Sequence, residues 1–200
     1  MRVPAALVLP IVMVGVMSSG CVGEGPRLYL NNSPDADEEV SIGVVLPDTV
    51  AHRPYSLGGW VMCLDRPGSV TIDRIDLIRP SGGIVMQAFS SRPQSRTHSM
   101  LGNAERPLTE LGFPARSPAI TTVCRKGQED VLLTELGLQY GKIGDATARA
   151  ESVRLFYTSA GRQRTVDFAL DVRLCAPDDM STKQCRELYK ELRSQSKGDE

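Results

Sequence analysis

The chain has 200 residues, with 23 lysines and arginines against 24 aspartates and glutamates, a formal charge of −1 at pH 7. Charges of both signs are interspersed, so the basic stripe that phosphate backbones require is missing and no nucleic acid partner is expected. The length suits one domain with a sizeable core, and 18 arginines to 5 lysines, with three asparagines, look like the usage of a high-GC bacterial genome.

At the start, Met1-Arg2 is positive, residues 5–17 are almost wholly apolar, and Ser18-Ser19-Gly20 lead to Cys21. No charge occurs from Val3 to Gly23. This stretch resembles a bacterial lipoprotein signal: a positive n-region, an apolar h-region and small residues before a cysteine. In that family a diacylglyceryl group is attached to the cysteine thiol, and cleavage leaves the lipidated cysteine as the new N-terminus. The resemblance therefore implies a signal peptide over 1–20, lipidation at Cys21, and a protein lipid-anchored to the cell membrane on its extracytoplasmic face. Ser18 departs from the Leu, Val or Ile more common at that place. Two other readings stay open, a plain cleaved signal that leaves Cys21 as a thiol, and an uncleaved anchor. Pro10 and Gly15 interrupt the run, which falls short of the roughly 20 apolar residues that span a bilayer. Lipidation would supply at least two acyl chains, enough for stable anchoring.

Residues 21–39 are polar, with Gly23, Gly25, Pro26 and Pro34 before an acidic run from Asp35 to Glu39. They read as a lipidated tether. A domain over 40–175 follows, with about eight strands. The first covers 41–46 and the second 57–63, through Trp60. The third, 70–78, changes phase, because Val70 and Ile72 share one parity and Ile75 and Leu77 the other, so a bulge is expected near Asp73-Arg74. Pro80-Ser81-Gly82-Gly83 reads as a hairpin turn into a strand over 84–89. Further strands are expected at 119–124 and 132–140. Strict alternation marks the last hairpin, with Val153, Leu155 and Tyr157 on one arm and Val166, Phe168, Leu170, Val172 and Leu174 on the other, turning at Ser159-Ala160-Gly161.

Many short strands with turn signals between them argue for an all-β fold, an antiparallel immunoglobulin-like β-sandwich. A closed barrel is the runner-up. The domain resembles uncharacterised secreted β-sandwich lipoproteins, a likeness that carries no site across. In the tail, 176–200, Ser181 and Gln184 form a capping-box pattern, and a short C-terminal helix is expected over 182–194 with Cys185 and Leu188 on its apolar face.

With Cys21 set aside, Cys63, Cys124, Cys175 and Cys185 form an even set in an exported chain, which argues for two disulfides. Four cysteines allow three pairings. Cys63 with Cys124 and Cys175 with Cys185 is favoured, because the second pair closes a short loop and staples the tail to the last strand. The chain-entropy account gives about 4 kcal/mol for the long loop and about 3 for the short one.

Catalytic constellations are missing. There is no nucleophile elbow and no phosphate-binding glycine loop, and His52 and His98 read as solvated loop side chains, so the chain is not expected to be an enzyme and no cofactor is expected. The leading reading is a membrane-anchored, non-catalytic binding module with an envelope protein or polymer as partner. The alternative is a copper carrier using His98 and Met100 with Met62 and Met86, since imidazole and thioether together suit Cu(I). Against it, methionines on strands usually fill core gaps. Residues 91–118, with four prolines and no sustained period, are the least explained stretch and the first place to look for binding.

Overall fold

The computed structural model describes residues 24–31, 42–94, 99–124, 133–177, 179 and 185–186. Its strands are β1 Leu28–Leu30, β2 Ile42–Leu46, β3 Tyr55–Leu64, β4 Val70–Ile78, β5 Ile84–Pro93, β6 Asn103–Ala104, β7 Thr134–Lys142, β8 Ala148–Ala150, β9 Ser152–Ser159, β10 Arg162–Phe168 and β11 Leu170–Leu174, with a 3-10 turn at Leu108–Leu111. The first sheet runs β1-β3-β7-β5, with β6 beside the start of β3. A second runs β10-β9-β4 and a third β2-β11-β8. Apart from β2 with β11, which lie parallel, every strand pair is antiparallel. Among the described residues no helix is long and apolar enough to cross a membrane.

Alternation puts one face of each strand into a common core. Leu136, Leu138 and Tyr140 of β7 meet Val153, Leu155 and Tyr157 of β9 and Leu170, Val172 and Leu174 of β11 in one buried cluster. Trp60 of β3 and Phe168 of β10 cross that core edge to face, their ring centroids 6.0 Å apart. The first sheet thus faces the other two, which share a layer because the chain steps from β10 to β11 at Ala169. This β-sandwich-like all-β arrangement agrees with the expected fold class. The phase change in β4 is a bulge, with register shifting between Ile72 and Arg74.

Several expectations are corrected. The turn at Pro80-Ser81-Gly82-Gly83 closes no hairpin, since β4 pairs with β9 while β5 pairs with β7, and the turn carries the chain from one layer to the other. The long last arm is two strands in two sheets. Its apolar parity continues unbroken through Ala169, so periodicity could not reveal the step. Residues 119–124 are not a strand: Ile120 bridges to Val70 of β4 and Val123 to Leu64 of β3, so this segment spans both layers and ladders with neither. The tether expected over 21–39 is in part folded, because Leu28 and Leu30 are buried in β1 against β3. Three residues are too few to show a period, and only pairing makes them a strand. Of the expected C-terminal helix, Cys185 and Arg186 are helical and the rest lies outside the described residues.

On the third sheet Arg149 donates to Asp171 through Nε at 3.0 Å and Nη2 at 2.9 Å, and Arg173 adds a bond at 3.0 Å. Burial pushes the Asp171 carboxyl up, but the bonds from Arg149 and Arg173 outweigh it and hold it below the ordinary aspartate value of 3.8. Stability from this carboxylate is complete above that ordinary value and is lost as pH falls through the lower folded one. Urea unfolding at about pH 6 should find Asp171→Asn less stable than wild type, with the gap closing towards about pH 2. In the core, Leu155→Ala should cost about 3 kcal/mol at neutral pH by the same measurement, since this fully buried side chain lies between β4 and β10.

Candidate binding surface

β7 reads Thr134-Glu135-Leu136-Gly137-Leu138-Gln139-Tyr140-Gly141-Lys142, and its odd positions lie on the face away from the core. In a two-layer protein that face ordinarily meets water. Here residues 99–118 cover it, and a buried carboxylate holds them there. Glu135, 1% exposed, accepts from the Leu101 amide at 2.6 Å and the Gly59 amide at 3.1 Å through Oε1, and from Arg92 Nε at 2.8 Å through Oε2. The Gly59 donor is available because β3 bulges between Leu57 and Trp60, where Gly59 takes φ +90°.

Arg92 completes the clamp. It donates to the carbonyls of Leu111 at 2.7 Å and Ser99 at 3.4 Å, and its guanidinium lies 4.3 Å from the centre of the Phe113 ring. Gly137 supplies the space beneath, since a Cβ there would stand 2.7 Å from Leu108 and 2.8 Å from Phe113, both buried. Further bonds run from Leu108 N to Gln139 Oε1 at 3.0 Å, from Ser56 Oγ to the Arg106 carbonyl at 2.6 Å and from Ser90 Oγ to the Pro114 carbonyl at 2.7 Å. The stretch expected as an irregular loop over 91–118 is therefore a folded layer from 99 onward, while 91–93 prolong β5.

Beside this layer, a recess of about 550 Å³ opens between the edges of β4 and β5, with Ile72, Ile75, Met86 and Phe89 in its lining and Arg116 at its rim. Arg116 is exposed and makes no ion pair among the described residues. Both edges bulge at the recess, β4 after Ile72 and β5 after Met86, so neither offers a continuous ladder. A lining of mixed character, with Asp73, Arg74 and Gln87 beside the apolar side chains and an unpaired guanidinium at the rim, suits binding. Glu135 and Arg92 are saturated by their own contacts and work as a clamp.

The favoured cysteine pairing is the one observed, Cys63 with Cys124 and Cys175 with Cys185, at Cα separations of 5.0 Å and 6.2 Å. Cys21 and His98 lie outside the described residues. Of the copper set, Met62 and Met86 are not brought together: Met62 stands opposite Thr134 and Met86 opposite Tyr140, which puts them about 20 Å apart along β7, and Met62 is fully buried in the core. No group of three or more metal-ligating His, Cys, Asp or Glu side chains occurs among the described residues. Sequence alone marks Arg92 only as one of several charges in 91–118 and does not single out Glu135 or Gly59, although a charge inside an apolar strand and a Gly58-Gly59 pair in another are signals of a bulge and a close approach.

Replacing Arg92 with alanine leaves a buried carboxylate without its cation and should cost about 3–5 kcal/mol. Calorimetry reads that loss, and brief trypsin treatment should cut after Arg116 in Arg92→Ala under conditions that spare the wild type. No family model matches this chain, and no curated protein matches it in sequence.

Proposed function

We propose that the chain is an extracytoplasmic lipoprotein, anchored to the cell membrane through Cys21, whose β-domain is a non-catalytic binding module for an envelope protein or polymer. One observation carries the reading. Four of the five cysteines close two disulfides, leaving Cys21 as the odd one, directly behind the apolar leader. Disulfides persist where the compartment is oxidising, which agrees with export, and an acylated cysteine accounts for the odd number. The finer fold reading is immunoglobulin-like in the broad sense of short strands in two layers. In contrast to true members of that class, the long disulfide ties β3 to the segment that runs beside its end, and no cystine crosses the core.

Binding is favoured over chemistry because the folded layer 99–118 presents a fixed surface beside an open recess, and its one buried ion pair is consumed in holding it. Mass spectrometry of the N-terminal peptide, with membrane fractionation of wild type and Cys21→Ala, tests the anchor. The expected result is a diacylglyceryl adduct on Cys21 and release of the variant from the membrane. A free Cys21 thiol, or a mature chain that keeps residues 1–20, contradicts it.

A further inference from the structure

The segment from Glu24 to Arg27 is strapped across one end of the sandwich. Arg27 exchanges backbone-side hydrogen bonds with Asp65, its amide donating to Oδ1 at 2.8 Å and its carbonyl accepting from the Asp65 amide at 3.1 Å. Ser159 Oγ donates to the Pro26 carbonyl at 2.7 Å. Glu24 sits between Arg164 at 3.1 Å and Arg27 at 3.2 Å. Two turns of this end, the one after β3 and the one between β9 and β10, are thus joined to the N-terminal strap.

Two consequences follow for anything attached at Cys21. Only two residues, Val22 and Gly23, separate it from Glu24, and three fully extended residue steps reach about 11 Å. An anchor there holds this end of the domain, and not a free-swinging body, within about a Debye length of the headgroups. The charges of the end are also one-sided. Among its described residues, Arg27, Arg66, Arg162 and Arg164 outnumber Glu24, Asp65 and Asp73, a cationic excess on a chain whose total charge is −1. Arg162 is exposed and makes no ion pair among the described residues, while Arg66 is half exposed beside Asp65.

We propose that this end is a membrane seat: the turns bearing Arg66 and Arg162 rest on the phosphates of an anionic lipid surface, and the strap fixes the domain's orientation. The proposal rests on acylation of Cys21. It places the opposite end, with the exposed Ile143, furthest from the bilayer and leaves the recess between β4 and β5 on the flank, open to a partner approaching along the surface.

The test uses the full chain, purified with its lipid and reconstituted in phosphatidylcholine vesicles with or without about one-third phosphatidylglycerol, at roughly 0.15 M salt. A fluorophore is placed at Gln163→Cys, near the seat, or at Ile143→Cys, and energy transfer to headgroup-labelled lipid is measured after mass spectrometry has established the adduct on Cys21. Transfer from position 163 should exceed that from 143 severalfold on the anionic vesicles. With Arg66→Glu and Arg162→Glu added, it should fall there by about half, with little change on the neutral ones. Equal transfer from the two positions overturns the seat while leaving the anchor intact. Transfer between protein copies in place of lipid overturns it as well and marks the end as a dimer contact. A missing adduct overturns the anchor, and the seat with it.

Discussion

A carboxylate buried at the outer face of a sheet must be neutralised or fully bonded, and Glu135 of β7 is fully bonded. Its partners come from three places far apart in the chain: the bulge of β3, the end of β5 and the covering layer. That requirement explains features otherwise unrelated. Gly59 exposes an amide inside a strand, Arg92 turns back over Phe113, and Gly137 leaves room for two side chains to come down on β7. Each depends on the others being in place. Together they turn residues 99–118 from an excursion into a third layer on one side of the fold, and an isolated charge there without them would cost several kcal/mol.

The long disulfide and the N-terminal strap play a related part at the end of the sandwich. Cys63 and Cys124 hold the segment that crosses from β4 to β3, where no ladder could hold it. Asp65 and Ser159 hold the strap. Edges are managed by local means: β1, Asn31, Gly102 and β6 in turn cover the outer edge of β3, and bulges interrupt β4 and β5. A domain so closed presents few places for a ligand, which is why the flank recess and the basic end stand out.

Much of the fold was legible in the sequence because burial has a period. The parity of β9, the bulge at Asp73, and the strand cores at Trp60 and Leu138 follow from alternation, and the two disulfides follow from an even cysteine count and loop closure. Alternation reports which face is buried and is silent on which neighbour lies beside it. So Pro80 to Gly83 looked like a hairpin, and the sheet change at Ala169 passed unnoticed. The covering layer is legible only in part: Leu108 and Phe113 are apolar enough to suggest docking on the sandwich, but the side-chain bonds to backbone groups that hold the layer leave no pattern in sequence. Its site value was suggested only by length and proline content.

The account turns on residues 99–118 being part of the cooperative fold, and amide hydrogen exchange measures that directly. The Leu101 amide donates to Glu135, the Leu108 amide to Gln139 and the Phe113 amide to the Leu108 carbonyl. If the clamp is as described, these three should exchange within roughly tenfold of the Leu136 and Leu138 amides of β7. Exchange at the rate of an unstructured chain, with β7 still protected, would contradict it and reduce the covering layer to a loop lying loosely on the sheet.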